Sequence, residues 1–136
     1  MIEKRTALAI ISKNGKFLVL HRSPKRRSMP GKWQFVAGHM EEGETPSETA
    51  EREALEETTC IVRAVKEGAP FKYYEELTDT LWEVTPVLCK FTSGEVKIDK
   101  EHTEWRWASV EEMKKLDFAP MVISRLKQFS FKPEEF

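Results

Sequence analysis

The stretch from Thr45 to Glu57 allows one backbone form and suits one kind of neighbour. Thr45 can cap a helix, Pro46 suits the first helical position, and Glu48 stands three residues after the cap to close a capping box. The pattern predicts a helix running to about Glu57. There the β-branched Thr58 and Thr59 weaken it and open an extended segment through about Val65. The helix is poor in core material, offering Ala50, Ala54 and Leu55. Small alanines let a helix backbone sit close to a sheet, and the flanking segments read as strands.

Residues 5–12 form an apolar strand, Asn14-Gly15 is the strongest short hairpin signal, and residues 16–22 are the returning strand. Residues 23–32, with Pro24, Pro30 and Gly31, make a polar basic loop. Trp33 to Ala37 is a short strand ending at Gly38. Further strands are predicted near 71–75, 81–91 and 103–108, with Ser93-Gly94 as a turn. Ser109, followed by Glu111 and Glu112, starts a short helix. Pro120 precedes a last one, in which Val122, Ile123, Leu126 and Phe129 share a face. No repeat or linker interrupts the pattern, so the 136 residues read as one mixed α/β domain, residues 1–136.

Composition narrows the function classes. Hydrophobic residues at 40% and charged residues at 33% suit a globular chain. No apolar run is of membrane length, and Met1-Ile2-Glu3-Lys4-Arg5 leads into a strand pattern, not a signal peptide. Cys60 and Cys89 each sit in an apolar stretch, which argues against a disulfide framework and for the cytoplasm. A net charge of −1 argues against a general nucleic-acid or membrane binder. That average hides an asymmetry. Residues 41–57 hold eight acids and one base, Arg52, out of 23 acids and 22 bases, leaving 15 acids and 21 bases elsewhere.

At 3.6 residues per turn, Glu53, Glu56 and Glu57 lie within about 100° of one another on the helix. Like charges at these spacings repel, and they sit at the end of the helix dipole that disfavours them. Only Arg52 answers, four residues from Glu48 and from Glu56. A solvated acidic face is the plain alternative. A hard divalent cation would explain the cluster, because carboxylate oxygens are its preferred ligands.

The surroundings decide between these. Gly38 is followed after five residues by Glu44 and after seven more by Arg52-Glu53-Ala54-Leu55-Glu56-Glu57, then Thr58-Thr59-Cys60. This resembles the signature of the Nudix hydrolases, and its six most specific positions match: Gly38, Glu44, Arg52, Glu53, Glu56 and Glu57. With each residue type at roughly 0.07 frequency, a chance match in the chain is on the order of one in 10⁵. Two positions depart. Ala54 is small for an aliphatic position. Thr59 stands where the family has a glycine that serves the turn leaving the helix, and threonine resists a positive φ.

The resemblance implies a three-layer α/β/α sandwich on a mixed sheet, and a pyrophosphohydrolase dependent on Mg²⁺, with Mn²⁺ as a substitute. Its substrate would be a small nucleotide or nucleoside diphosphate derivative. It implies that Glu53, Glu56 and Glu57, with the Gly38 carbonyl, bind the metal. Glu44 and Arg52 would form a supporting ion pair, and Glu56 would also assist in deprotonating water. An acid outside the signature often serves as base or extra ligand; Glu101 is the first choice and Glu104 the second. Arg22 is a candidate phosphate contact and Trp33 a candidate base-stacking platform. Lys25-Arg26-Arg27 reads as a solvated loop and His39 as an unrestricted position; His102, beside Glu101, reads as a surface histidine, with a base near neutral pH as the alternative. Neither a membrane nor a nucleic acid is an expected partner, and a homodimer is kept in view. A non-catalytic nucleotide-sensing module with the same fold is the competing expectation.

Overall fold

The computed structural model describes residues 1–25 and 31–118. The chain order is β1 (Ile2–Lys13), β2 (Lys16–Arg22), β3 (Trp33–Gln34), β4 (Val36–His39), α1 (Pro46–Thr58), β5 (Ile61–Glu67), β6 (Phe71–Glu75), β7 (Thr80–Ser93), β8 (His102–Ala108) and α2 (Val110–Met113). The last helix expected from Pro120 lies outside the described residues.

The strands form one mixed sheet of the order β3-β2-β1-β7-β5, with β4 on β1, β6 on β7 and β8 on β2. β1 and β7 run parallel at its centre, with Ile2 opposite Thr80 and Ser12 opposite Lys90, while the other pairs are antiparallel. Asn14 and Gly15 have φ of 50° and 78°. Two positive φ angles match the right-handed twist of the flanking strands, so the hairpin closes where the sequence places it.

Strand alternation sends the two faces of β1 to two cores. Ala7, Ala9 and Ile11 pack with Leu18, Leu20, Val36, Cys60, Val62 and Val87 under Ala50 and Ala54 of α1. Leu8 and Ile10 pack on the other face with Phe17, Val19, Trp33, Phe35 and Met113, closed by Leu116 and Phe118. The molecule thus has a helix layer, a sheet and a second covering layer built from α2 and the turns after it. The alanines of α1 do what small residues allow, bringing the helix backbone down onto β1, β4 and β5. Leu55 does not join them. It is 52% exposed, and buried Thr49 and Thr58 complete the inner face of the helix.

Candidate active site

α1 begins as its sequence dictates. Thr45 accepts from the Glu48 backbone N–H and the Glu48 side chain accepts from the Thr45 N–H, with Pro46 at the first position. Its end differs from the expectation. Thr59 takes a left-handed conformation, φ 60° and ψ 10°, and its N–H donates to the Leu55 carbonyl at 3.0 Å. The turn that the glycine of the signature serves is therefore made by a β-branched residue. The Thr59 hydroxyl donates to the Glu95 carbonyl, and the Lys97 N–H donates to the Thr58 carbonyl at 2.9 Å. These bonds tie residues 95–97 to the end of the helix.

Gly38 lies on β4 opposite Ala7, on the face that α1 covers. A Cβ there would sit 2.0 Å from Glu53 Cδ. Glycine is needed at this position because a carboxylate occupies the space, not because a turn requires it. Glu53 is 14% exposed, and burial pushes its carboxyl above the ordinary range, with Arg52 opposing.

Arg52 is the hub of the acidic segment. Its Nε donates to Glu44 Oε2 at 2.7 Å and its Nη2 to Glu44 Oε1 at 2.9 Å, a bidentate pair. Nη1 donates to Glu53 at 2.8 Å and to Glu56 at 3.1 Å, and Nη2 also reaches the His39 carbonyl at 2.9 Å. The Arg52 hydrogen bonds hold Glu44 down at about 2, and Glu44 in turn raises the guanidinium above its usual range. One cation therefore answers Glu44, Glu53 and Glu56 together, where spacing along the helix offered it Glu48 and Glu56. Glu48 is not among its partners; it serves the cap.

Arg52 does not reach Glu57, whose carboxylate accepts from the Ala37 N–H. Its Oε2 is buried without a hydrogen-bond partner. Burial, then the charges of Glu53, Asp99 and Glu101, push its carboxyl up to about 8. Asp99 drew no attention in the sequence. Here it accepts from His102 Nδ1 at 2.7 Å and from the Glu101 N–H at 3.0 Å. The available signal was a polar run, Asp99-Lys100-Glu101-His102, between two strands. Glu101 is exposed, and its carbonyl accepts from the Ser23 N–H at 2.9 Å. Glu104, the second choice, instead pairs with Arg106 at 3.0 Å on exposed β8.

Arg22 lies at the end of β2 and donates from Nη1 to Gln34 Oε1 at 3.1 Å. Trp33 is not available as a stacking platform. It is 6% exposed, its ring lies beside His21 and under the Arg106 guanidinium, and it belongs to the core opposite α1. His102 is likewise no surface residue, being 6% exposed. His39 is exposed beside Trp82, and burial and then Lys4 lower its pKa. Lys25 is exposed, and Arg26 and Arg27 lie outside the described residues.

Among the described residues no three His, Cys, Asp or Glu side chains converge closely enough to hold an ion as they are placed. Arg52 holds Glu53 and Glu56 on its own guanidinium. The donor set nonetheless fits a hard cation: it offers only carboxylate and carbonyl oxygens. The unpartnered Glu57 oxygen also carries the desolvation that a bound charge relieves.

A family model described as the NUDIX domain matches residues 2–127. The chain belongs to the Nudix family. It is a Nudix hydrolase, of a family that cleaves nucleoside diphosphate derivatives and generally uses divalent metals. It is 28% identical over 127 residues to a nucleoside triphosphatase, NudI, of Enterobacter sp. (strain 638), covering 86% of this chain and 89% of that one. It is 30% identical over 105 residues to an RNA pyrophosphohydrolase of Erythrobacter litoralis (strain HTCC2594), covering 63% of this chain and 64% of the relative. Among solved structures, the E. coli ORF135 protein superposes with a TM-score of 0.77 at 24% identity, over 96% of this chain and 90% of its own. The MutT protein of Methanosarcina mazei Go1 does so with 0.75 at 24% identity, over 96% and 97%. These likenesses show the Nudix fold.

Proposed function

We propose that this Nudix hydrolase is a Mg²⁺-dependent pyrophosphohydrolase, accepting Mn²⁺ as a substitute, that cleaves a diphosphate linkage in a small nucleotide-type substrate in the cytoplasm. The observation that carries this is the buried, unpartnered Glu57 oxygen facing the charges of Glu53, Asp99 and Glu101. A carboxylate placed so is a poor structural choice and a good cation ligand.

Glu53, Glu56 and Glu57, with the Gly38 carbonyl, are the oxygens that would hold the ion. Mg²⁺ bound there neutralises phosphate charge, orients the diphosphate and makes water more acidic. The protein's own part is to keep these oxygens in place. Glu44 fixes Arg52 from two sides, and Arg52 fixes Glu53 and Glu56. Glu56, the most exposed of the three at 57%, takes the proton from attacking water. Arg22, at the strand end, carries positive charge for a substrate phosphate. Two relatives of the chain are a nucleoside triphosphatase and an RNA pyrophosphohydrolase, which supports a nucleoside polyphosphate as the first substrate class to test.

The test is a panel of nucleoside triphosphates, nucleotide sugars, ADP-ribose and dinucleoside polyphosphates with Mg²⁺. Glu57→Gln is expected to lower turnover of the best substrate by at least about 100-fold, the loss of several kcal/mol of charge stabilisation. Tight binding with no product would replace this reading with a nucleotide sensor.

A further inference from the structure

Building on that assignment of the acidic site, we propose that His102 and Gln34 are positioning residues that hold the Asp99 carboxylate beside Glu57. Asp99 is then the acid outside α1 that completes the site.

Asp99 lies in residues 94–101, a connection between β7 and β8 without helix or strand. Its backbone path is held at both ends, by Thr58 and Thr59 of the helix terminus on one side and by the Ser23–Glu101 bond on the other. The direction of its carboxylate is set by one backbone N–H, that of Glu101, and by one side chain. Oδ1 accepts from His102 Nδ1 at 2.7 Å. The His102 side chain is 2% exposed, and its other ring nitrogen, Nε2, lies 3.2 Å from Gln34 Nε2.

The proton positions follow from the far end of this chain. Arginine only donates, so Arg22 Nη1, 3.1 Å from Gln34 Oε1, decides which end of the amide faces it. The amide nitrogen is then turned toward His102. An amide NH₂ can only donate, so His102 Nε2 presents its lone pair and the ring proton sits on Nδ1, facing Asp99. Each link allows one orientation. The chain from Arg22 through Gln34 and His102 to Asp99 runs one way, and it crosses from the end of β2 through β3 and β8 to the acidic site.

Core packing does not need such an arrangement. Apolar side chains would fill these positions without the desolvation cost of a buried imidazole and a half-buried amide. What the chain supplies is a fixed direction for a carboxylate that is itself 36% exposed, in a connection bonded through residues 95 and 97 to Thr59 and Thr58, next to Glu57. Partners behind metal-ligating groups act in this way, and their loss typically weakens metal affinity or activity about 10- to 100-fold. Glu101 contributes its backbone N–H to the same carboxylate.

Two measurements on the full chain test the proposal. Nitrogen-15 NMR of the imidazoles should show His102 with a pyrrole-type Nδ1 and a pyridine-type Nε2; the reverse assignment overturns it. The Mg²⁺ concentration giving half-maximal thermal stabilisation should rise about 10- to 100-fold in Asp99→Asn and in His102→Ala. In His102→Asn, whose amide restores a donor near the Nδ1 position, it should return to within about threefold of the parent. That rescue separates positioning from lost packing, and Asp99→Asn leaves the buried residues untouched should His102→Ala fail to fold. Variants that bind Mg²⁺ as the parent does would sink the positioning role and leave the hydrolase reading standing. A parent chain that does not respond to Mg²⁺ sinks the metal reading instead, and the proposal with it.

Discussion

Gly38 and Thr59 carry opposite lessons about single residues. Gly38 is not in the left-handed region; its missing Cβ is the seat of Glu53. Gly38→Ala is therefore expected to fold, with an unchanged circular dichroism spectrum, while turnover falls about 100-fold, the usual cost of displacing a working group by an ångström. Thr59 is left-handed with a β-branched side chain, a conformation that costs an L-residue about 1–2 kcal/mol. Both Thr59→Gly and Thr59→Ala lose the hydroxyl bond to Glu95, but only glycine also relieves the backbone. Urea unfolding should find the glycine variant more stable than the alanine variant by about 1 kcal/mol. Equal stabilities would mean that the turn stores no strain.

At the scale of the element, α1 is a helix organised around one arginine. Glu44 precedes the helix, yet its two oxygens are held by Arg52 Nε and Nη2, and Thr49 donates to Oε1 at 2.8 Å. These bonds lower the Glu44 pKa from 4.5 to about 2. A depressed folded-state value means that the unfolded chain binds the proton first. The contribution of Glu44 to stability is thus full above pH 4.5 and is lost as pH falls through about 2. Acid titration of the melting temperature should show the parent more stable than Glu44→Gln near neutrality, with the gap closing between these values. A gap that persists at pH 2 would show that shape and not charge matters at this position.

For the whole molecule, the mixed sheet brings three separated pieces of chain to one place. β4 sets Gly38 against Glu53 of α1, and residues 95–97 of the β7–β8 connection bond to the end of that helix. Binding that favours the folded state raises its stability by mass action. Mg²⁺ at 100 times its Kd should add about 2.7 kcal/mol, seen as a higher melting temperature that disappears in Glu57→Gln. No shift in the parent would count against the cation site. Among the described residues no helix is long and apolar enough to cross a membrane.

The amino-acid order by itself determined the local pieces. The capping box and Pro46 set where α1 starts, Asn14-Gly15 closed the first hairpin, and the spacing from Gly38 to Glu57 named the family's acidic motif. Each of these is a short-range pattern in which neighbouring residues carry the whole physical cause. Tertiary structure alone decided what those pieces meet. It buried Trp33 and His102 through strand pairings 12 and 80 residues distant in sequence, turned Leu55 outward, and brought the Asp99 charge to bear on Glu57. It also revealed Arg52 as the shared hydrogen-bond partner of Glu44, Glu53 and Glu56. Burial and long-range contact depend on which face of the sheet a strand presents and what covers it, and that is fixed only once the layers close.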